Sequence, residues 1–277
     1  MDFNLSDEQN ALKDSLAKFI DRDYTFDDRW KIIKTAEGWS RKHWNQLAEI
    51  GLMALLVAEA DGGLGGTGVD TMLVMEELGR GLVVEPYLGC VVLPAALIKA
   101  AGNESQRATL SEGLASGETL YAFAHTEPGQ RYERNAVAFA ATTKGDGYVL
   151  NGKKVSVLGG DAADQLLVSA TVAGDAGPSL FVVPAGASGI KRFAYPMQDA
   201  QRGADIEFAN VEVGADALIG ERGQAAAAID YALDVACAAL CAEAVGAMAE
   251  LHKITVEYLK TRKQFGRVIG MNQALQH

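Results

Sequence analysis

Three stretches of different periodicity follow one another along the chain, and their order restricts the fold more than any single motif. Apolar residues at helical spacing run to about Gly117, short alternating segments with turn dipeptides fill about Glu118 to Gly220, and one long Ala-rich helical pattern occupies about Gln224 to Arg262. Helix, then β, then helix is the signature of an α+β chain whose β part is a separate layer, not of alternating βαβ units. We divide the chain into a helical domain at 1–117, a β-domain at 118–222 and a second helical domain at 223–277. A length of 277 residues is enough for such an arrangement to bury a sizeable core.

Local signals give the detail. Ser6-Asp7-Glu8-Gln9 is a capping-box pattern, and Leu5, Leu12, Leu16, Phe19 and Ile20 follow at helical spacing. Ser40 is a second N-cap candidate, with Trp44, Leu47 and Ile50 behind it and Gly51 as the stop. Further helical patterns run from Val69 to Leu78, Pro86 to Ala100 and Glu104 to Leu114, and Asp61-Gly62-Gly63-Leu64-Gly65-Gly66 is expected to be the most flexible spacer. Strands are expected at Leu120–Ala124, Val137–Thr142, Tyr148–Leu150, Lys153–Leu158, Gln165–Thr171, Ser179–Val183 and Asp205–Phe208, with hairpin turns at Asp146-Gly147 and Asn151-Gly152. They read as an antiparallel barrel or sandwich. The final helical pattern stops at Phe265-Gly266, a new apolar segment opens near Met271, and an apolar stripe this long needs a partner: another subunit, or further residues of a longer parent protein.

Composition removes several function classes. A net charge of −11 makes the chain a poor binder of nucleic acid or anionic membranes, although a local cation cluster can still take an anion. Cys90, Cys237 and Cys241 form no CxxC pair and no metal-ligand pattern, so no metal site is expected, and Cys237 and Cys241 read as buried small hydrophobes. Met1–Leu5 has no apolar signal-peptide region and no run of 18 apolar residues occurs, so a cytoplasmic protein that does not span a membrane is expected. His43 and His252 read as surface or packing residues, and His277 has no partner pattern.

Two motifs carry chemistry. Thr126-Glu127-Pro128-Gly129 follows a strand where helical sequence gives way to β sequence. By itself it is a turn, but a hydroxyl and free backbone N–H groups at a strand end also suit a heterocyclic ligand. Arg262-Lys263-Gln264-Phe265-Gly266 is either a basic helix end with a Gly stop or a phosphate ligand, since a guanidinium binds phosphate in bidentate fashion.

In this order, with Asn151-Gly152-Lys153-Lys154 between them and Asp61–Gly65 and Glu76-Glu77-Leu78-Gly79 before them, these motifs resemble the acyl-CoA dehydrogenase family from near residue 5 to the last residue. The resemblance implies FAD as cofactor, an acyl-CoA thioester as substrate, and α,β-dehydrogenation with electrons passed to an electron-transfer flavoprotein, as in fatty acid metabolism. It places His125 and Thr126 against the flavin ring and Ser156 and Val157 along its face. Arg262 then binds the pyrophosphate of a partner chain's FAD, Gln264 and Phe265 accompany it, and Gln273 meets the adenosine portion, so the chain is expected to form at least a dimer. Small subunits of heteromeric bacterial enzymes of the family resemble it well.

The departures are specific. Gln130-Arg131-Tyr132-Glu133 replaces the family's usual Ala-Gly-Ser-Asp, so Tyr132 stands where a substrate-holding Ser is expected. Ser156 and Leu158 replace Trp and Thr beside the flavin, and Ala236 and Cys237 stand where a minority of members carry the catalytic Glu and its Arg support. No catalytic base is assigned. Three readings follow: a dehydrogenase subunit, a non-catalytic partner completing another chain's FAD site, or a flavin-free binding protein on the same fold.

Overall fold

The computed structural model describes residues 4–277, so the reading of Met1–Phe3 lies outside it. The N-terminal part is a cluster of helices: α1 (Asp7–Asp23), α2 (Phe26–Ile32), α3 (Arg41–Glu49), α4 (Gly68–Gly81), α5 (Leu93–Ala101) and α6 (Glu104–Ser116). The capping box of α1 forms, with Ser6 Oγ accepting from the Gln9 N–H and the Gln9 side chain accepting from the Ser6 N–H. Ser40 caps α3 by accepting from the His43 N–H, without a reciprocal bond. The short helix α2 was not anticipated; its seven residues hold too few apolar repeats to show a period, but Thr25 caps it. The glycine-rich spacer is firmer than its composition suggests, because Gly63, Leu64, Gly65 and Gly66 donate to the carbonyls of Ala58, Ala54, Val57 and Leu55. A Cβ at Gly66 would lie 2.6 Å from the Leu55 carbonyl, so these glycines allow a close backbone approach.

The β-domain contains β1 (Tyr121–Ala124), β2 (Ala140–Lys144), β3 (Gly147–Leu158), β4 (Gln165–Val172), β5 (Ser179–Pro184), β6 (Ile190–Pro196), β7 (Arg202–Val213) and β8 (Leu218–Ile219). The strands are ordered β6-β7-β3-β2-β4-β5-β8, with β1 added on β4. Pairing is mixed, not antiparallel throughout: β1 and β2 both run parallel to β4. Asn151-Gly152 is no hairpin turn. It is a bulge inside one twelve-residue strand, where Gly152 takes φ 140° and the Asn151 side chain accepts from the Asn210 N–H. The hairpin between β2 and β3 turns at Gly145-Asp146. Strand β6 escaped the sequence reading because it is an edge strand that buries almost none of its side chains.

The last part is α7 (Ala226–Thr261), a two-strand hairpin of β9 (Lys263–Gln264) and β10 (Arg267–Val268), and the short α8 (Gln273–Gln276). Among the described residues α7 alone is long and apolar enough by composition to cross a membrane. It packs along α4 and α5, and Asp230, Asp234 and Glu243 interrupt it, which makes it a bundle helix here. One face, with Ala232, Ala236, Ala239 and Ala242, enters the helical core; another leaves Leu240, Val245, Met248, Leu251 and Ile254 exposed. Cys237 and Cys241 lie on the uncovered side and are exposed, contrary to the expectation of burial. His43 packs between Phe19 and Tyr24, and His252 is exposed.

Candidate active site

The turn Thr126–Gly129 is built on a buried polar cluster. Lys154, on β3, is 0% exposed. Its ammonium donates to Glu127 Oε1 at 2.7 Å, the His125 carbonyl at 3.0 Å and Ser169 Oγ at 3.1 Å, and lies 4.8 Å from the centre of the Phe139 ring. A buried lysine needs such partners, because an unpaired charge in an apolar interior is costly. The Glu127 carboxylate also accepts from the Ala138 and Phe139 N–H groups, which ties the turn to the segment before β2. Burial pulls the Lys154 ammonium down to about 8, against the pairing with Glu127.

His125 follows β1, is buried and stacks on Phe123. Its Nδ1 lies 2.9 Å from Ser169 Oγ. Lys154 can only donate, so Ser169 Oγ accepts from it, and the same hydroxyl shares a second hydrogen bond with His125 Nδ1. Burial, and then the Lys154 charge, hold His125 down to about 4, so the ring is neutral at ordinary pH.

The rest of the loop reaches α7. Arg134 Nη1 donates to Asp234 at 2.6 Å and Asn135 Nδ2 to Asp230 at 3.0 Å. Tyr132, between them and the turn, is 97% exposed and faces solvent. Thr126 is exposed, and its carbonyl accepts from the Val155 N–H at 2.8 Å. Ser156 is exposed at a second bulge with φ 53°, whereas the Val157 side chain is buried in the β core and leaves only its backbone for a ligand.

His125, Thr126, Ser156 and Val157 are therefore neighbours. Arg262, Gln264, Phe265 and Gln273 form a separate group beyond the C-terminal end of α7, all exposed. From Asp234 to Arg262 the helix rises about 42 Å at 1.5 Å per residue, so the Arg262 end cannot meet the turn of its own chain. Arg262 has no ion pair among the described residues, and Phe265 is 101% exposed at φ 51°, followed by Gly266 at φ 79°. Both central residues of the β9–β10 turn are thus left-handed, the form of a tight hairpin. An aromatic residue held in that conformation in open solvent is strained without any compensating contact in its own chain.

The sequence points to His125 and to the exposed residues around the turn, but not to the rest of the polar cluster beneath them. In the sequence Glu127 and Lys154 stand only as parts of motifs, and nothing marks Ser169. A lysine amid the apolar alternation of β3 was the available signal. Ala236 is buried in the helical core and carries no carboxylate toward a ligand. Glu243, on the same helix, has its carboxyl pushed up by burial and then by Asp199, but it faces Gln201 on the β6–β7 connection.

A helical cluster, a mixed β-domain and a long bundle helix, with a polar turn where the first two meet and a cationic hairpin at the far end, define the three-part α–β–α architecture of an acyl-CoA dehydrogenase-type fold. The chain belongs to the acyl-CoA dehydrogenase family: its residues 6–118, 122–211 and 224–277 match the N-terminal, middle and C-terminal domains of acyl-CoA dehydrogenase. It is 26% identical to the short-chain specific acyl-CoA dehydrogenase of Clostridium acetobutylicum over 99% of its own length and 74% of that protein. Its fold is similar to that of butyryl-CoA dehydrogenase from Megasphaera elsdenii, with TM-score 0.90, 27% identity, and 100% and 75% of the two chains covered. It also resembles a chain of the ChsE4–ChsE5 complex from Mycobacterium tuberculosis, with TM-score 0.85, 26% identity, and 99% and 72% covered. The chain spans about three quarters of the length of these proteins.

Proposed function

We propose that the chain is a subunit of an FAD-dependent acyl-CoA dehydrogenase, introducing a double bond between Cα and Cβ of an acyl-CoA thioester and passing the electrons to an electron-transfer flavoprotein. The observation that carries this reading is the pairing of two exposed donor groups that one chain cannot bring together. The Thr126 amide and hydroxyl, beside Ser156, suit the polar edge of a flavin ring, and Arg262 with Gln264, Phe265 and Gln273 suits the pyrophosphate and adenosine. The separation of about 42 Å along α7 requires these groups to come from two copies, or from this chain and a related partner.

When bound, FAD supplies the acceptor for the hydride leaving Cβ. The chain's own residues hold and orient it. His125, neutral, pins the turn through Ser169, and Arg134 and Asn135 fasten the following loop to α7. A cavity of about 490 Å³ between α4 and α7, lined by Thr71, Met72, Glu76, Val235, Ala238 and Val245, suits an acyl chain. The thioester carbonyl acidifies the α-proton, and Ala236 supplies no carboxylate to remove it.

Purified chain mixed with FAD should show a bound flavin band that bleaches on adding an acyl-CoA without oxygen. No bound flavin would sink the reading. Bound flavin that no acyl-CoA bleaches would favour the partner-subunit alternative, which the Ala at position 236 supports.

Phe265 provides a second check. Phe265→Asn puts a residue that tolerates a left-handed conformation before Gly266 and should stabilise the free chain by about 0.5–1 kcal/mol in denaturant unfolding. The same change should weaken FAD binding, because the aromatic face is lost. Lower stability in the variant would show that Phe265 is not strained.

A further inference from the structure

The outward face of the flavin turn is set from behind it. Lys154 draws the His125 carbonyl into the β-domain at 3.0 Å. A trans peptide is planar, so the Thr126 N–H of the same unit points the opposite way, toward solvent. That N–H has no acceptor among the described residues. The Lys154 charge therefore lies one peptide unit behind a free donor, on its carbonyl side, where it polarises the amide and strengthens that donor.

We propose that Lys154 is a positioning residue for the flavin: its buried ammonium orients and polarises the His125–Thr126 peptide so that the Thr126 N–H is aimed at an acceptor atom of the isoalloxazine ring. This rests on the reading of the Thr126–Gly129 turn as a flavin site. Glu127 is the counter-ion that keeps the ammonium in place, and Ser169 directs its third hydrogen.

The arrangement makes flavin retention depend on pH in a particular direction. The titratable groups facing Lys154 are Glu127 from the turn and His125 just after β1; β4 contributes only the Ser169 hydroxyl, and the segment before β2 only the Phe139 ring. His125 titrates near 4, well below the range of interest. Lys154 in the fold titrates near 8, below an ordinary lysine at 10.5. The folded chain thus loses this proton before the unfolded chain does. Burying the charge costs stability at neutral pH, and that cost is relieved as pH rises from about 8 toward 10.5. FAD prefers the charged form, so over the same window it is released while this group does nothing to unfold the chain. A merely structural lysine would not separate the two trends.

The test is an FAD titration of the full chain, followed by flavin fluorescence from pH 7 to 9.5, with thermal melts alongside. Wild type should lose affinity above pH 8, by about tenfold in all, with no parallel loss of folding stability. Lys154→Met should bind FAD about tenfold more weakly at pH 7 and show a flat profile. A flat wild-type profile, or Lys154→Met binding as tightly as wild type at pH 7, would overturn the inference. Should Lys154→Met fail to fold, the wild-type profile decides alone. Failure of wild type to bind FAD at pH 7 would instead overturn the flavin reading of the turn, and this inference with it.

Discussion

Arg262→Ala is expected to lower FAD affinity about a hundredfold and leave the fold intact. The side chain is exposed at the end of α7 and makes no ion pair among the described residues, so its removal should change stability by less than about 0.5 kcal/mol. The backbone at this position stays anchored, since the Arg262 N–H donates to Tyr258 and its carbonyl accepts from Ile269. A guanidinium on a pyrophosphate makes two charge-assisted hydrogen bonds, and losing them removes about 3 kcal/mol of binding, or about two powers of ten in Kd. Arg262→Lys should keep part of the charge attraction and lose the fork, for a loss of about tenfold. The measurement is flavin fluorescence on titration, with apo-protein melts as the control. Wild-type affinity in Arg262→Ala would refute the phosphate role.

The geometry adds a test that an ordinary binding residue would fail. On the reading of Arg262 as a flavin-phosphate ligand, the rise of about 42 Å along α7 from Asp234, where the loop after the turn is fastened, to Arg262 makes its effect cross to another chain. Arg262→Ala retains an intact turn, and Thr126→Pro, which has no amide hydrogen to give, retains an intact Arg262. Each alone should bind FAD poorly. A mixed dimer holds one complete site, so mixing the two should restore binding. No restoration after subunit exchange would place both groups at the same chain's site, or neither of them at a site.

Much of this arrangement was legible in the sequence because it rests on local chemistry. Ser6 and Ser40 cap helices wherever they precede an apolar period, and the Ala-rich pattern of α7 carries its own boundary at Arg262. What escaped notice depends on pairing between distant segments. The parallel register of β1 on β4 and of β2 on β4 leaves no trace in alternation alone. Asn151-Gly152 has the composition of a hairpin turn, yet β7 pairs continuously along both sides of it and makes it a bulge. Cys237 and Cys241 share a face as their spacing implies, but which face of α7 meets α4 is decided by glycines elsewhere. The same holds for the site. Thr126 and Arg262 stand in recognisable motifs, whereas the partners of Lys154 come from positions 125, 127 and 169, and only the fold brings them within hydrogen-bonding distance.

Those glycines are the basis of the second large effect. Gly246→Val should destabilise the chain by about 3 kcal/mol or more, a large share of the total stability of a typical domain. Helices α4 and α7 touch backbone to backbone at two reciprocal points: a Cβ at Gly79 would strike the Glu243 carbonyl, and one at Gly246 would strike the Glu76 carbonyl. In each helix the glycine lies three residues after the glutamate whose carbonyl its counterpart approaches, so the two contacts sit about one turn apart. Neither obstacle is a flexible side chain that can swing aside; each is a helix backbone. Relief requires the helices to separate, which would open the packing of Met75, Leu78, Ala239 and Ala242. Gly246→Ala makes the point with the smallest change. At an exposed helical site that exchange gains about 1 kcal/mol from helix propensity. Here it should instead lose stability in denaturant unfolding, because the added methyl meets the Glu76 carbonyl. Ala244→Gly, on the exposed side of the same helix, should cost only the propensity term of about 1 kcal/mol. If Gly246→Ala proved stabilising, the close crossing would not exist in solution. The position of the whole hairpin from 263 to 268 would then be open, because the crossing of α7 on α4 sets where the end of α7, and Arg262 with it, lies.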